Sequence, residues 1–201
     1  MQRFFDLTIA SLGLLFLMIP IAFIWLVLIV SGCKPPLFFQ KRIGWNGQVF
    51  EIIKFRTMTT ECDSSGKLLP DEDRITRLGY FLRKTSLDEL PSLINVITGH
   101  MSLVGPRPLL VEYGPLYTDE EAQRHLVRPG VTGWAQINGR NALSWDEKFK
   151  LDIWYVNNQS MKLYFSILWK TVFSVLTRKN ISAEGCATMP DLRDERGWDV
   201  S

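Results

Sequence analysis

Residues 7–30 read LTIASLGLLFLMIPIAFIWLVLIV, a stretch without a single charged side chain. About 20 apolar residues suffice for a helix to cross the hydrocarbon core of a bilayer, so the run is long enough to be a membrane anchor. Pro20 interrupts it near its middle. An internal proline removes one helical hydrogen bond and crowds the preceding turn, at a cost of about 3 kcal/mol, so a helix here kinks or breaks. Arg3 precedes the run, and Lys34, Lys41 and Arg42 follow it. Loop arginines and lysines favour the cytoplasmic side. Two basic flanks therefore fit a segment that enters the membrane, bends at Pro20 and returns to the same face. Hydropathy alone favours a single-pass helix with a mild kink. A third reading takes Val30–Ser31–Gly32–Cys33 as a lipoprotein processing site at Cys33. Against it, the apolar run exceeds the ~7–15 residues of a signal sequence, and Asp6 stands where positive charge is expected.

The rest of the 201-residue chain has room for one ordinary domain. A net charge of +2 gives no reason to expect a nucleic-acid partner. Cys33, Cys62 and Cys186 form neither an even set nor a C-x-x-C pair, which supports no disulfide framework or zinc site and fits a reducing compartment. With only His100 and His125, and no G-x-S-x-G, a serine–histidine hydrolase is disfavoured.

Beyond Pro35–Pro36, strand-forming runs at Leu37–Phe39 and Val49–Phe55 flank Gly44–Trp45–Asn46–Gly47, the pattern of a β-hairpin. Its second arm sets Lys54 and Arg56 on alternate positions and so on one face. Residues 61–73 are a polar loop by composition. Ile75, Leu78 and Leu82 then recur at helical spacing among Arg74, Arg77, Arg83 and Lys84, a basic amphipathic helix suited to a membrane surface or to packing on a core.

Residues 83–108, RKTSLDELPSLINVITGHMSLVGPRP, carry the chemistry. Asp88 and Glu89 open a stretch whose Leu90, Leu93, Ile94 and Ile97 predict one buried helical face, stopped at Gly99. Arg107 follows, held between Pro106 and Pro108. A carboxylate can attack phosphorus or hold a cation, and an arginine fork grips phosphate oxygens, so the group suits phosphate chemistry. The competing reading is structural. Ser86-x-x-Glu89 matches a capping box, in which the carboxylates only satisfy backbone donors at a helix start. Downstream, Arg128–Gly133 and Asn138–Asn141 are glycine-rich turns that allow either plain turns or close approach to a ligand. Ser144-x-x-Glu147 opens a helix carrying Trp145, Phe149, Ile153 and Val156, and a last helix spans about 161–177. From Ser182 the chain turns polar and acidic, as a loose tail would.

Lys54–Met58, Ser86–Pro91, Gly105–Pro108, Arg128–Gly133 and Asn138–Asn141, in this order, resemble the bacterial sugar transferases, the small monotopic polyprenyl-phosphate phosphoglycosyl transferases. The resemblance runs from about Arg3 to Thr177. It implies an α+β fold in which 1–36 is a re-entrant membrane helix hairpin broken at Pro20. Residues 37–181 are then a compact cytoplasmic catalytic domain with a short β-hairpin and interfacial amphipathic helices, and 182–201 a polar tail. It implies a covalent ping-pong transfer of sugar-1-phosphate from a UDP-sugar to undecaprenyl phosphate, releasing UMP, at the cytoplasmic face of the bacterial inner membrane. Asp88 is the implied nucleophile and Glu89 the implied Mg²⁺ ligand. Arg107 is the implied phosphate clamp, with Lys54, Arg56, Arg83 and Arg140 as further substrate-binding candidates. A homodimer is left open, and a catalytically silent membrane-anchored binding protein is the alternative of another class. Two positions depart from the family habit. Ile19 stands where serine commonly precedes the proline, and Tyr164 stands where many members carry an aspartate.

Overall fold

The uncharged run folds as a single helix, α1, over Gln2–Val30, and it continues through Pro20. The computed structural model describes residues 1–139, 142–177 and 191–198. At 1.5 Å per residue, α1 is about 43 Å long. Leu15, Phe16, Met18, Ile19, Phe23 and Leu26 stand exposed along it. Its two ends, by contrast, are both built into the same folded body. Near the start, the buried Asp6 carboxylate accepts hydrogen bonds from Ser102 Oγ at 2.9 Å, the Leu103 amide at 2.9 Å and the Tyr164 hydroxyl at 2.8 Å. Gln2 donates to Ser102 Oγ, and Arg3 to the Ile97 and Met101 carbonyls. At the far end, Leu28 is buried with Phe55 and Leu82. Residue 36 is therefore no boundary in packing, because Ala10 shares one core with Phe50, Ile52, Val96 and Ile167. Processing at Cys33 would strip Asp6, Ala10 and Leu28 from that interior.

The hairpin forms as its sequence predicts. β1 (Leu37–Ile43) pairs antiparallel with β2 (Val49–Phe55), in the register Arg42 to Phe50 and Phe38 to Lys54. Asn46 and Gly47 take positive φ values of 51° and 75°, which supply the left-handed residues that the reversal needs. A short helix α2 (Asp71–Arg74) precedes α3 (Arg77–Lys84), whose Thr76 cap accepts from the Gly79 amide. Leu82 of α3 is buried while Tyr80 and Phe81 are more than half exposed, so the helix packs on the core and still shows an aromatic outer face beside Arg77 and Lys84.

The helix after the carboxylates departs from its expected face. Residues Leu87–Ser92 are a 3-10 turn, and the α-helix proper, α4, covers only Leu93–Thr98. Asn95 and Val96 point inward, whereas Ile94 and Ile97 are exposed. The tighter 3-10 winding shifts the phase of everything after it, which a uniform 3.6-residue period does not anticipate. Asn95 then replaces the expected apolar contact with hydrogen bonds, accepting from the Ile53 amide and donating to the Glu51 carbonyl. Gly99, at φ 93°, ends α4 as expected.

β3 (Ser102–Val104) and β4 (Gly130–Thr132) form a parallel pair. Between them lies the short helix α5 (Asp119–Ala122), with its own Thr118–Glu121 capping box. α6 (Trp134–Ile137) leads to α7 (Trp145–Asn157), which starts on the predicted Ser144–Glu147 box, and to α8 (Met161–Thr177). On α7 the buried side chains are Trp145, Phe149, Asp152 and Tyr155, so a polar residue occupies the predicted stripe. The expected loose tail is corrected over 191–198. There α9 (Leu192–Glu195) docks on the body, Leu192 is fully buried with Tyr113, Trp145 and Phe149, and Arg196 pairs with Glu121. One leucine among charges carries no periodicity, so composition alone hides the docking.

Candidate active site

Asp88 and Glu89 lie in the first turn of the 3-10 segment, immediately after Ser86, a non-glycine residue held at φ 56°. No side-chain cap forms there, so the capping-box reading of Ser86–Glu89 does not hold. The Glu89 carboxylate turns instead to two cations. Lys54 Nζ and Arg107 Nη2 each donate to the same oxygen, Oε1, at 2.7 Å. Burial alone would raise the Glu89 carboxyl, but Arg107 and Lys54 outweigh it and hold the group well below the usual carboxylate range. Lys54 is in turn lowered by burial, against the pull of Glu89.

Its neighbour behaves oppositely. Asp88 is 9% exposed, and its carboxyl is pushed up to about 6 by burial first and by the Glu89 charge second, with Lys54, Arg107 and Arg83 pulling the other way. Two adjacent carboxyls thus carry divergent affinities for a proton, the pattern expected where one group reacts and the other holds charge. Neither is free to drift. Asn95 ties α4 to β2, and Ser92 Oγ donates to the Glu89 carbonyl at 2.6 Å.

The Arg107 loop is fixed by backbone contact. A Cβ on Gly105 would fall 2.2 Å from the Arg128 carbonyl oxygen, and one on Gly130 would fall 2.1 Å from the Gly105 amide nitrogen. The glycines of the Gly105–Pro108 and Arg128–Gly133 motifs thus admit each other, so the partner of that close approach is the chain itself. Behind the loop, Arg124 and Asp152 form a buried ion pair at 2.6 Å, and Arg124 also donates to the Arg107 carbonyl at 2.8 Å.

The remaining candidates divide. Lys54 and Arg107 meet at Glu89. Arg83 donates to Thr57 Oγ1 at 2.9 Å, and its charge reaches Asp88. Arg56 is not brought in: its Nε donates to the Pro35 carbonyl at 2.8 Å and its guanidinium stacks on Phe38. Arg140 lies outside the described residues. Pro20 lies within α1, remote from the carboxylates in sequence. Arg42 and the Arg124–Asp152 pair escaped the sequence reading. For Arg42 a signal existed, because directly opposed residues of a hairpin share a face, and the register places Arg42 with Phe50, Ile52 and Lys54. For Arg124 and Asp152 there was none, since their pairing is tertiary. The Tyr164 departure also finds its setting here, as its hydroxyl serves the Asp6 network rather than the carboxylate pair.

The family model described as bacterial sugar transferase matches residues 1–178. The chain belongs to the bacterial sugar transferase family. Among curated sugar transferases, the uncharacterized EpsL of Bacillus subtilis (strain 168) is 53% identical over 181 residues, which is 90% of each chain. The UDP-glucose:undecaprenyl-phosphate glucose-1-phosphate transferase of Escherichia coli (strain K12) is 37% identical over 89% of this chain and 41% of its own length. The undecaprenyl-phosphate galactose phosphotransferase of Salmonella typhimurium (strain LT2) is 35% identical over 89% of this chain and 41% of its own. The chain thus spans about two fifths of these longer transferases.

Proposed function

We propose that this sugar transferase moves a sugar-1-phosphate from a UDP-sugar to undecaprenyl phosphate, releasing UMP, at the cytoplasmic face of the bacterial inner membrane. The observation that carries the reading is the buried Asp88 carboxyl, raised to about 6 by burial and by the Glu89 charge, beside a Glu89 carboxylate that Lys54 and Arg107 hold ionised. At neutral pH Asp88 is mostly ionised, poorly solvated and therefore reactive. One of its oxygens attacks the sugar-bearing phosphorus. The bond from that phosphorus to the bridging oxygen breaks, and UMP leaves with the electron pair. An oxygen of undecaprenyl phosphate then attacks the same phosphorus and returns Asp88 as a carboxylate. Arg107 and Lys54 stabilise charge on the phosphate oxygens, and Arg83 favours the ionised nucleophile.

Among the described residues no trio of metal-ligating side chains gathers. Asp88 and Glu89 nevertheless fit Mg²⁺, which takes one or two carboxylates from protein and fills its shell with phosphate oxygens and water. Glu89 would hold the ion, which when bound neutralises the diphosphate and stabilises the leaving group.

Support for a re-entrant α1 comes from its two ends. Asp6 and Leu28 are both buried in one body, which a helix crossing the bilayer with that body on one side could not achieve. α1 packs against α4, whose Ile94 and Ile97 are exposed, and Phe5 of α1 meets Phe165 of α8 edge-on at 5.1 Å, on a helix that also exposes Trp169 and Val172. A surface of this kind suits one leaflet.

The test is UMP release from a panel of UDP-sugars with undecaprenyl phosphate and Mg²⁺. Turnover with one donor, loss in Asp88→Asn and a sugar-phosphate mass adduct on Asp88 are expected. UMP release by Asp88→Asn at the parent rate would refute the nucleophile. Absence of release with every donor, alongside retained UDP-sugar binding, would favour a silent binding protein.

A further inference from the structure

The hairpin face that carries Lys54 also carries Arg42, and nothing in the transfer chemistry above uses it. Arg42 is tied to the Arg107 loop through its backbone: it bridges to Leu110, and the Ile43 amide donates to the Leu109 carbonyl at 3.1 Å. Its side chain donates to the Pro108 carbonyl through Nη1 and to Gln40 Oε1 through Nη2. The Nε–H, by contrast, is buried without a partner. A buried, unpaired charged donor costs on the order of 1–3 kcal/mol, so such an atom calls for a physical reason.

That reason lies in a recess lined by Arg42, Lys54, Glu89, Ser92, Arg107 and Val131. Three cations meet there, and Glu89 is the carboxylate that lines the recess with them. Burial and the Arg107 charge lower Arg42 to about 10, so it remains a cation at neutral pH. Like charges gathered in this way are stabilised by a second anion, and the one most suited to a guanidinium with a spare N–H is a phosphate.

The recess also has a direction. Arg42 pairs with Phe50, four residues toward the turn from Lys54, a distance of roughly 13 Å along the strand. Lys54, Arg107 and Arg83 act on Asp88, whereas the acidic groups that act on Arg42 are Tyr113, Glu112 and Glu89. Arg42 thus stands on the Glu89 side of the recess, away from the attacking Asp88, where the phosphate next to the attacked one would lie.

We propose that Arg42, with Lys54 and Arg107, forms the subsite for the phosphate that stays with the leaving nucleotide, one phosphorus removed from the one that Asp88 attacks. The assignment rests on the transferase reading for the name of the nucleotide, but not for the anion itself. Arg42 then binds the diphosphate in the ground state and keeps its grip on the departing nucleoside monophosphate.

The experiment uses the full chain in detergent or nanodiscs. UMP and pyrophosphate binding are measured by calorimetry in the Asp88→Asn protein, with and without Arg42→Gln. Loss of a hydrogen bond to a charged group predicts a drop in affinity of roughly 10- to 100-fold for both ligands. Arg42→Lys keeps the charge without the Nε–H and should fall between, which also covers the case in which Arg42→Gln does not fold. In the Asp88-containing protein, Arg42→Gln should raise the KM for the UDP-sugar and the inhibition constant of UMP by similar factors, leaving the KM for undecaprenyl phosphate unchanged. Unaltered UMP and pyrophosphate affinity would overturn the proposal and leave the Nε–H to a buried water. A rise confined to the KM for undecaprenyl phosphate would overturn it in favour of the lipid phosphate. If the parent turns over no UDP-sugar, the transferase reading fails, while loss of pyrophosphate binding in Arg42→Gln still supports the anion subsite.

Discussion

Asp88→Asn should make the protein more stable while it abolishes turnover. The carboxyl moves from 3.8 in the unfolded chain to about 6 in the folded one. At 1.36 kcal/mol per unit, ionised Asp88 costs the fold about 3 kcal/mol. Because the folded value is raised, the favourable contribution is complete below the unfolded pKa and is lost as pH rises through the folded one. The penalty therefore grows between roughly pH 4 and pH 6 and is constant above that. An asparagine mimics the neutral acid and escapes it. For a chain of this size, 2–4 °C per kcal/mol predicts a Tm gain of roughly 6–12 °C at pH 8. Near pH 4.5 the gain should shrink to about 1 kcal/mol, because wild-type Asp88 is then largely protonated. Thermal unfolding in EDTA at the two pH values, on parent and variant side by side, gives the comparison. A variant less stable than the parent at pH 8 would refute the reasoning, and so would an equal gain at both pH values.

Four further outcomes are expected. The kcat/KM profile should rise through a limb near pH 6, as the buried Asp88 carboxyl loses its proton; a limb near pH 4 would place the nucleophile elsewhere. Glu89→Gln should cut activity severely and shift the Mg²⁺ titration to higher concentration, since an amide is a poorer Mg²⁺ ligand; an unchanged titration would remove Glu89 from the metal. Gly130→Ala should destabilise by about 3 kcal/mol or more, read as Tm, because its Cβ would lie 2.1 Å from the Gly105 nitrogen and 2.3 Å from the Thr132 oxygen. Single cysteines at Gln2 and Gln48, in a background without Cys33, Cys62 and Cys186, should both resist an impermeant thiol reagent in intact cells and react in opened ones. Labelling of Gln2 from outside would make α1 a spanning helix.

What the sequence made legible follows from the range of each interaction. The hairpin was readable because Asn46–Gly47 supplies its own positive-φ residues, and α7 because Ser144 and Glu147 sit three residues apart. The Asp88–Glu89 pair and Arg107 were readable as chemistry, but which carboxylate would be raised was not. That depends on Lys54 arriving from another element to share an oxygen of Glu89 with Arg107. The inward face of α4 was misjudged because a 3-10 turn shifts its phase and because a polar residue, Asn95, makes the core contact. Arg56 alternates with Lys54 along β2, yet it leaves the strand end and turns to the Pro35 carbonyl. Periodicity fixes a face without saying where the face ends.

The fastening of α1 at both ends has a mechanical consequence. A helix tied by Asp6 at one end and Leu28 at the other cannot tilt or slide on its own. If its middle rides in one leaflet, as proposed, any change in its depth must lift or lower the whole body, and Asp88 with it. On the transferase reading the height of Asp88 above the acyl chains is then a property of the lipid as much as of the protein. Acyl length and headgroup crowding would then become variables of catalysis, acting through a helix fastened to the body at both ends.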